Sequence, residues 1–233
     1  MTVLRGLDAR LRLARLCLVT DGREQQGDLA EFLGAAFAGG VDLVQLRPPG
    51  LTPACVEVAR QAAASVQVLV GLRESLALAA EVQVDVLHLV QPRETSAAAR
   101  RHLHPYALLG RSVHDERELA AALADDDVDY LTVGPVYGVP PDLELVRHAA
   151  AAAPVYAMSS KPWFAVGGIT ADNLSAVLEA GAGRICVSRA LTWAADPRGT
   201  ARTFAAALRE AWRSDPAAER YTFAAAASPG RRR

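Results

Sequence analysis

The runs LCLVTD from Leu16, DLVQLR from Asp42, VQVLVGL from Val66, VDVLHLV from Val84, YALLGRSV from Tyr106, YLTVGPVY from Tyr130, WFAVGG from Trp163 and RICVSRAL from Arg184 are short, apolar and β-rich. Their apolar character is continuous rather than alternating, as strands buried on both faces require. Between them lie alanine-rich amphipathic stretches such as DLAEFLGAAFAGG, PACVEVARQAAAS, ESLALAAEVQ, DERELAAALADDD and ADNLSAVLEAGAG. Helix-forming composition and Gly or Asp at the ends mark these as helices. Strands that each lead into a helix pair in parallel, so the alternation predicts a single α/β domain, a (β/α)8 TIM barrel. An open doubly wound sheet is the alternative. It is weakened because Gly39-Gly40 and Gly167-Gly168 do not form GxGxxG between a first strand and its helix.

A chain of 233 residues that is 51% hydrophobic suffices for one core of this size. The barrel is expected over residues 1–214, with its last helix near Asp196 to Ser214. The segment DPAAERYTFAAAASPGRRR, residues 215–233, is expected to be a flexible, solvated C-terminal tail. A formal charge of −1, with acids and bases mixed along the chain, offers no field for nucleic acid or an anionic membrane surface. The N-terminal MTVLRGLDARLRLARLCLVTD interrupts its apolar residues with arginines, so it reads neither as a signal peptide nor as a membrane span. Cys17, Cys55 and Cys186 are odd in number and far apart, which suits buried thiols in a reducing compartment and predicts a cytoplasmic protein. A homo-oligomer stays open, because dimer surfaces on barrels look like ordinary amphipathic helices.

In such a barrel the site forms at the C-terminal strand ends, and phosphate commonly lodges after strands seven and eight. Strand seven ends in Val166-Gly167-Gly168-Ile169-Thr170, where paired glycines let backbone N–H groups approach an anion, and strand eight offers Val187-Ser188-Arg189. The plainer alternative is a tight turn with Thr170 or Asp172 capping the next helix. At strand two, Gln45 and Arg47 alternate onto one face, an amide suited to a heterocycle and a fork suited to phosphate. Strand five ends in Gly110-Arg111-Ser112-Val113-His114, with Asp115 and Glu118 as a helix start. The catalytic candidates are therefore Arg47, Ser112 and His114, although the plainer reading of His114 is a histidine that packs the loop or sits behind the site, and that of His88 a satisfied core residue.

Together and in order, LVTD, AGGVDLVQLR, VDVLHLVQ, LLGRSVHD, DYLTVGPVY, PWFAVGGIT and AGAGRICVSRAL resemble the thiamine phosphate synthase and TenI family of single-domain (β/α)8 barrels, from Leu16 to Pro197. The resemblance implies a reaction in which magnesium-bound hydroxymethylpyrimidine diphosphate loses diphosphate and a thiazole nitrogen attacks the resulting carbocation. It sets Gln45, Arg47, Ser112, Gly168 and Ser188 on substrate contacts.

The departures fall on one side of that site. Pro49 stands where the family has a diphosphate-binding lysine, and Gly71-Leu72-Arg73 is set against the family's Asn-Asp-Arg. Val90-Gln91-Pro92-Arg93 places an arginine against the second magnesium carboxylate, and Gly138-Val139-Pro140-Pro141-Asp142 lacks the threonines and lysine of the loop after strand six. Pro135 stands where thiazole tautomerases of the TenI branch carry their histidine. The sequence therefore predicts a binder of thiazole phosphate, thiamine phosphate or a related small phosphorylated ligand through Gln45, Arg47, Ser112, Gly167, Gly168, Val187 and Ser188, with no metal site and no cofactor. One alternative is a working synthase in which arginines compensate for the lost metal ligands, magnesium being its cofactor if it needs one. The other is a non-catalytic partner of a genuine synthase.

Overall fold

A computed structural model describes residues 6–91, 95–139 and 141–228. The strands are β1 (Leu16–Thr20), β2 (Leu43–Leu46), β3 (Leu69–Arg73), β4 (Val86–Leu89), β5 (Leu108–Val113), β6 (Tyr130–Val133), β7 (Trp163–Val166) and β8 (Ile185–Val187). They pair in parallel in chain order and close between β8 and β1, where Leu16, Cys17 and Leu18 register with Ile185, Cys186 and Val187. All eight coincide with the apolar runs of the sequence, and the fold is a (β/α)8 barrel.

The helices are α1 (Leu7–Leu13), α2 (Leu29–Gly39), α3 (Pro53–Ala63), α4 (Leu76–Glu81), α5 (Ser96–Arg100), α6 (Glu116–Ala124), α7 (Glu144–Ala152), α8 (Leu174–Glu179), α9 (Arg189–Thr192), α10 (Pro197–Ser214) and α11 (Pro216–Ala226). Most of the apolar core lies between the strands and this outer layer, which receives Leu18, Val44, Leu72, Leu87, Leu109, Leu131 and Ile185 from the strands. The alternate strand residues, among them Cys17, Leu43, Leu69, Val86, Tyr130 and Phe164, fill the barrel itself, joined there by Leu11 and Leu7 of α1. This division follows from the two-residue period of a strand.

Gly110 shows how tightly the interior packs. A Cβ there would stand 2.2 Å from Tyr130 Cζ and 2.4 Å from His88 Nδ1, so only glycine leaves room for both rings.

The chain beyond residue 214, expected as a solvated tail, is helical from Pro216 to Ala226. Asp215 caps it by accepting from Ala217 N–H at 2.8 Å, and Pro216 occupies the first turn, where its missing N–H costs nothing. Ala218, Tyr221 and Ala225 repeat at helical spacing and pack with Trp212. The Tyr221 hydroxyl accepts from the wholly buried Arg184 at 2.9 Å. That aromatic face, not solvent, is what holds the segment. Residues 229–233, with the terminal arginines, lie outside the described residues.

Candidate functional site

A pocket of about 440 Å³ opens at the C-terminal ends of β1, β2, β3, β7 and β8, five neighbouring strands around the closure. One wall is Gly167, Gly168, Ile169 and Thr170 after β7 with Val187 and Ser188 at the end of β8. The opposite wall carries Arg47 from β2 and Arg73 from β3. A larger groove of about 1020 Å³ lies between α10 and α11, lined by Trp212, Phe223 and Arg15 just before β1, and receives nothing from the C-terminal strand ends.

The glycine wall is fixed by its neighbours. Gly167 and Gly168 adopt φ of +105° and +67°, and a Cβ on Gly168 would stand 2.6 Å from Tyr137 Cβ. Tyr137 N–H donates to Gly167 O at 2.9 Å, which ties this turn to the one after β6. The residue that organises the turn is Asn173, rather than the Thr170 or Asp172 named from sequence. Asn173 Oδ1 accepts from Thr170 N–H at 2.8 Å while its Nδ2 donates to Gly168 O at 3.0 Å. The helices that follow, α8 and α9, have six and four residues, so the wall offers loop backbone rather than a long helix dipole.

Beneath the arginine wall lies a polar network buried inside the barrel. Arg73 donates to Gln45 Oε1 at 2.8 Å and to Ser112 Oγ at 3.3 Å. Gln45 Nε2 donates to Tyr130 OH at 2.9 Å. His88 stands between Tyr130 OH (3.2 Å), Ser112 Oγ (3.0 Å) and Thr132 Oγ1 (3.1 Å). Burial holds the His88 pKa well below its usual value, and the nearby Arg73 and Arg111 charges push the same way, so the ring is neutral. Burial raises the Tyr130 phenol as well. Every member of this network shares its polar atoms with another, as buried polar groups must.

Of the residues singled out from sequence, Arg47, Gly167, Gly168, Val187 and Ser188 line one pocket. Gln45 and Ser112 are buried and meet the pocket through Arg73 rather than directly. His114 lies outside that pocket, exposed, in a separate depression of about 480 Å³ beside α6 that Ser112 also lines. Its Nδ1 and its backbone N–H each lie 2.8 Å from Glu118 Oε2, and Asp115 Oδ1 accepts from Glu118 N–H at 2.7 Å. The helix start read from DERE therefore forms, with His114 drawn into the cap instead of the pocket. Pro49 and Pro135 are exposed.

The sequence missed the orientation of β3. Setting Gly71-Leu72-Arg73 against the family's Asn-Asp-Arg puts Leu72 in the site, yet Leu72 packs outward against the helices. The inward residues are Leu69, Gly71 and Arg73, which alternate, and a two-residue count from Leu69 reaches Arg73 from sequence alone. Cys17 and Cys186, also distant in sequence, meet inside the barrel with sulfurs 3.3 Å apart, and burial raises the Cys17 thiol pKa.

The pocket lining does not suit magnesium, which demands oxygen ligands. Among the described residues its charged groups are Arg47, Arg73 and Arg189, with no carboxylate, and no three metal-ligating side chains gather anywhere. Glu74, next to Arg73, is exposed and accepts from Gln91 N–H at 2.8 Å. Pro92 and Arg93, set against the second metal carboxylate, lie outside the described residues, as does Pro140.

Fold and pocket define a (β/α)8 barrel with an arginine- and glycine-lined pocket at its strand ends. The profile described as "Thiamine monophosphate synthase" matches residues 16–191. The chain is 45% identical over 213 residues to the thiamine-phosphate synthase of Streptomyces avermitilis, covering 87% of this chain and 97% of that one. It is 42% identical over 224 residues to that of Mycobacterium tuberculosis, covering 88% and 99%. It therefore belongs to the thiamine phosphate synthase/TenI family. A thiamine phosphate pyrophosphorylase from Pyrococcus furiosus superposes with a TM-score of 0.74 at 24% identity, covering 87% of this chain and 98% of that one, and shares the fold.

Proposed function

We propose that this chain joins a hydroxymethylpyrimidine diphosphate to a thiazole phosphate, the chemistry carried in the name of its 42–45% identical relatives. The observation that supports it is the two-ended pocket, guanidinium groups facing a glycine turn across about 440 Å³. The glycine turn receives the thiazole phosphate on backbone N–H groups and Ser188. Arg47 and Arg73 receive the diphosphate. In the reaction the bond from the pyrimidine methylene carbon to the diphosphate oxygen breaks, its electron pair leaving with diphosphate, and the thiazole nitrogen lone pair forms the new C–N bond. Charge that builds on the departing oxygens is stabilised by guanidinium donors already in place, the kind of fixed electrostatic help worth about 3–4 kcal/mol per donor.

The purified chain, incubated with both substrates and assayed chromatographically for thiamine phosphate, should form product, and Arg47→Ala should abolish it. Product from neither wild type nor variant, with thiazole phosphate still bound, would replace this reading with a second one. That second reading is a divergent binder without turnover, and the specific observation favouring it is Pro49 at the family's lysine position.

A further inference from the structure

We propose that Arg73 is a fixed guanidinium anchor through which this pocket grips a diphosphate directly, without a divalent cation. The proposal rests on the synthase reading for the ligand's identity and on geometry for the rest. Arg73 lines the pocket, and its side chain is held from below by Gln45 Oε1 at 2.8 Å and Ser112 Oγ at 3.3 Å. Both acceptors are uncharged. Both are themselves locked, Gln45 by Tyr130 and Ser112 by His88 and Thr132.

Arg73 is thus oriented by side chains that leave its charge unneutralised. A guanidinium has five N–H donors in a planar fork, and these two bonds leave the remainder free to meet an anion. Arg47, on the same wall, makes no ion pair with a described residue. Two such cations, with no carboxylate among the described lining residues, attract phosphate oxygens and repel a metal ion brought between them. Gln45 and Ser112 act on the ligand through Arg73, which makes them positioning residues. His88, neutral beneath them, adds no competing charge.

Calorimetric titration of the full chain with inorganic pyrophosphate, once in Mg²⁺ and once in EDTA, tests this. Wild type should bind in EDTA at least as tightly as in Mg²⁺. Arg73→Gln should weaken binding about tenfold or more, the loss expected for a charge-assisted contact. Arg73→Lys, which keeps the charge and loses the fork, should fall between them. Gln45→Met, which strips one partner each from Arg73 and Tyr130, should weaken binding several-fold and lower the thermal midpoint as well. Binding that needs Mg²⁺, or equal affinity for wild type and Arg73→Gln, would overturn the proposal, and the EDTA comparison on wild type needs no variant to fold. The two readings fail separately. Pyrophosphate bound in EDTA with no thiamine phosphate formed leaves Arg73 as the anchor and removes the reaction, whereas product formed only with Mg²⁺ keeps the reaction and removes the anchor.

Discussion

Replacing Tyr221 by phenylalanine isolates one hydroxyl that joins the C-terminal helix to the barrel. Arg184, wholly buried, has no carboxylate of a described residue within ion-pair distance. Its charge is met by Arg12 O and Tyr221 OH, each at 2.9 Å, and by the Trp212 and Tyr221 rings at 5.0 and 5.5 Å. Its Nε has no partner among the described residues. Removing the hydroxyl deletes one of two short charge-assisted hydrogen bonds and leaves an N–H donor of the cation unpaired, a loss of about 1.5–3 kcal/mol. For a domain of this size each kcal/mol lowers Tm by about 2–4 °C, so a fall of about 3–12 °C is expected. Tyr221→Ala removes the ring as well and should cost about 3–5 kcal/mol. Phe223, two residues on and 79% exposed, is the control, and Phe223→Ala should stay within about 0.5 kcal/mol. Urea unfolding followed by tryptophan fluorescence reads all three. Equal, small effects at positions 221 and 223 would refute the docking of α11 and restore the solvated tail.

Two further outcomes follow from the barrel interior and the glycine turn. Folded His88 is neutral because its pKa is depressed, whereas the unfolded side chain takes up a proton below about pH 6.5. Stability from this group is therefore present above that pH and lost as pH falls below it, at up to about 1.4 kcal/mol per pH unit. Denaturant midpoints for wild type and His88→Gln between pH 7 and 5 should converge on acidification, and parallel curves would contradict the assignment. Gly168→Ala forces alanine to φ +67° with its Cβ 2.6 Å from Tyr137 Cβ, at a cost of about 1–3 kcal/mol. It should weaken thiazole phosphate binding about tenfold while pyrophosphate binding at the arginine wall stays within about twofold; equal losses for both would deny that the pocket has two separate ends.

The strands were legible because each is a continuous apolar run, and continuity is what a barrel strand flanked by side chains on both faces needs. The Asp115 cap and the glycine turn were legible for the same local reason, being written in consecutive residues. What escaped depended on direction or on distance. Arg73 lies in the pocket because of a two-residue alternation from Leu69, which a match by motif alone slides past. The helix α11 was signalled by Asp215-Pro216 and by Ala218, Tyr221 and Ala225, masked by alanines that blur any periodicity. Cys17 and Cys186 meet because β1 and β8 close the barrel, a contact 169 residues long that no local pattern encodes.

The most direct test of the two-ended pocket is a sequential calorimetric titration in EDTA, thiazole phosphate first and inorganic pyrophosphate, which cannot react with it, into the saturated complex. The account predicts one site for each ligand, with the second binding undiminished by the first. Competition between the two for a single site, or failure of either to bind, would contradict it.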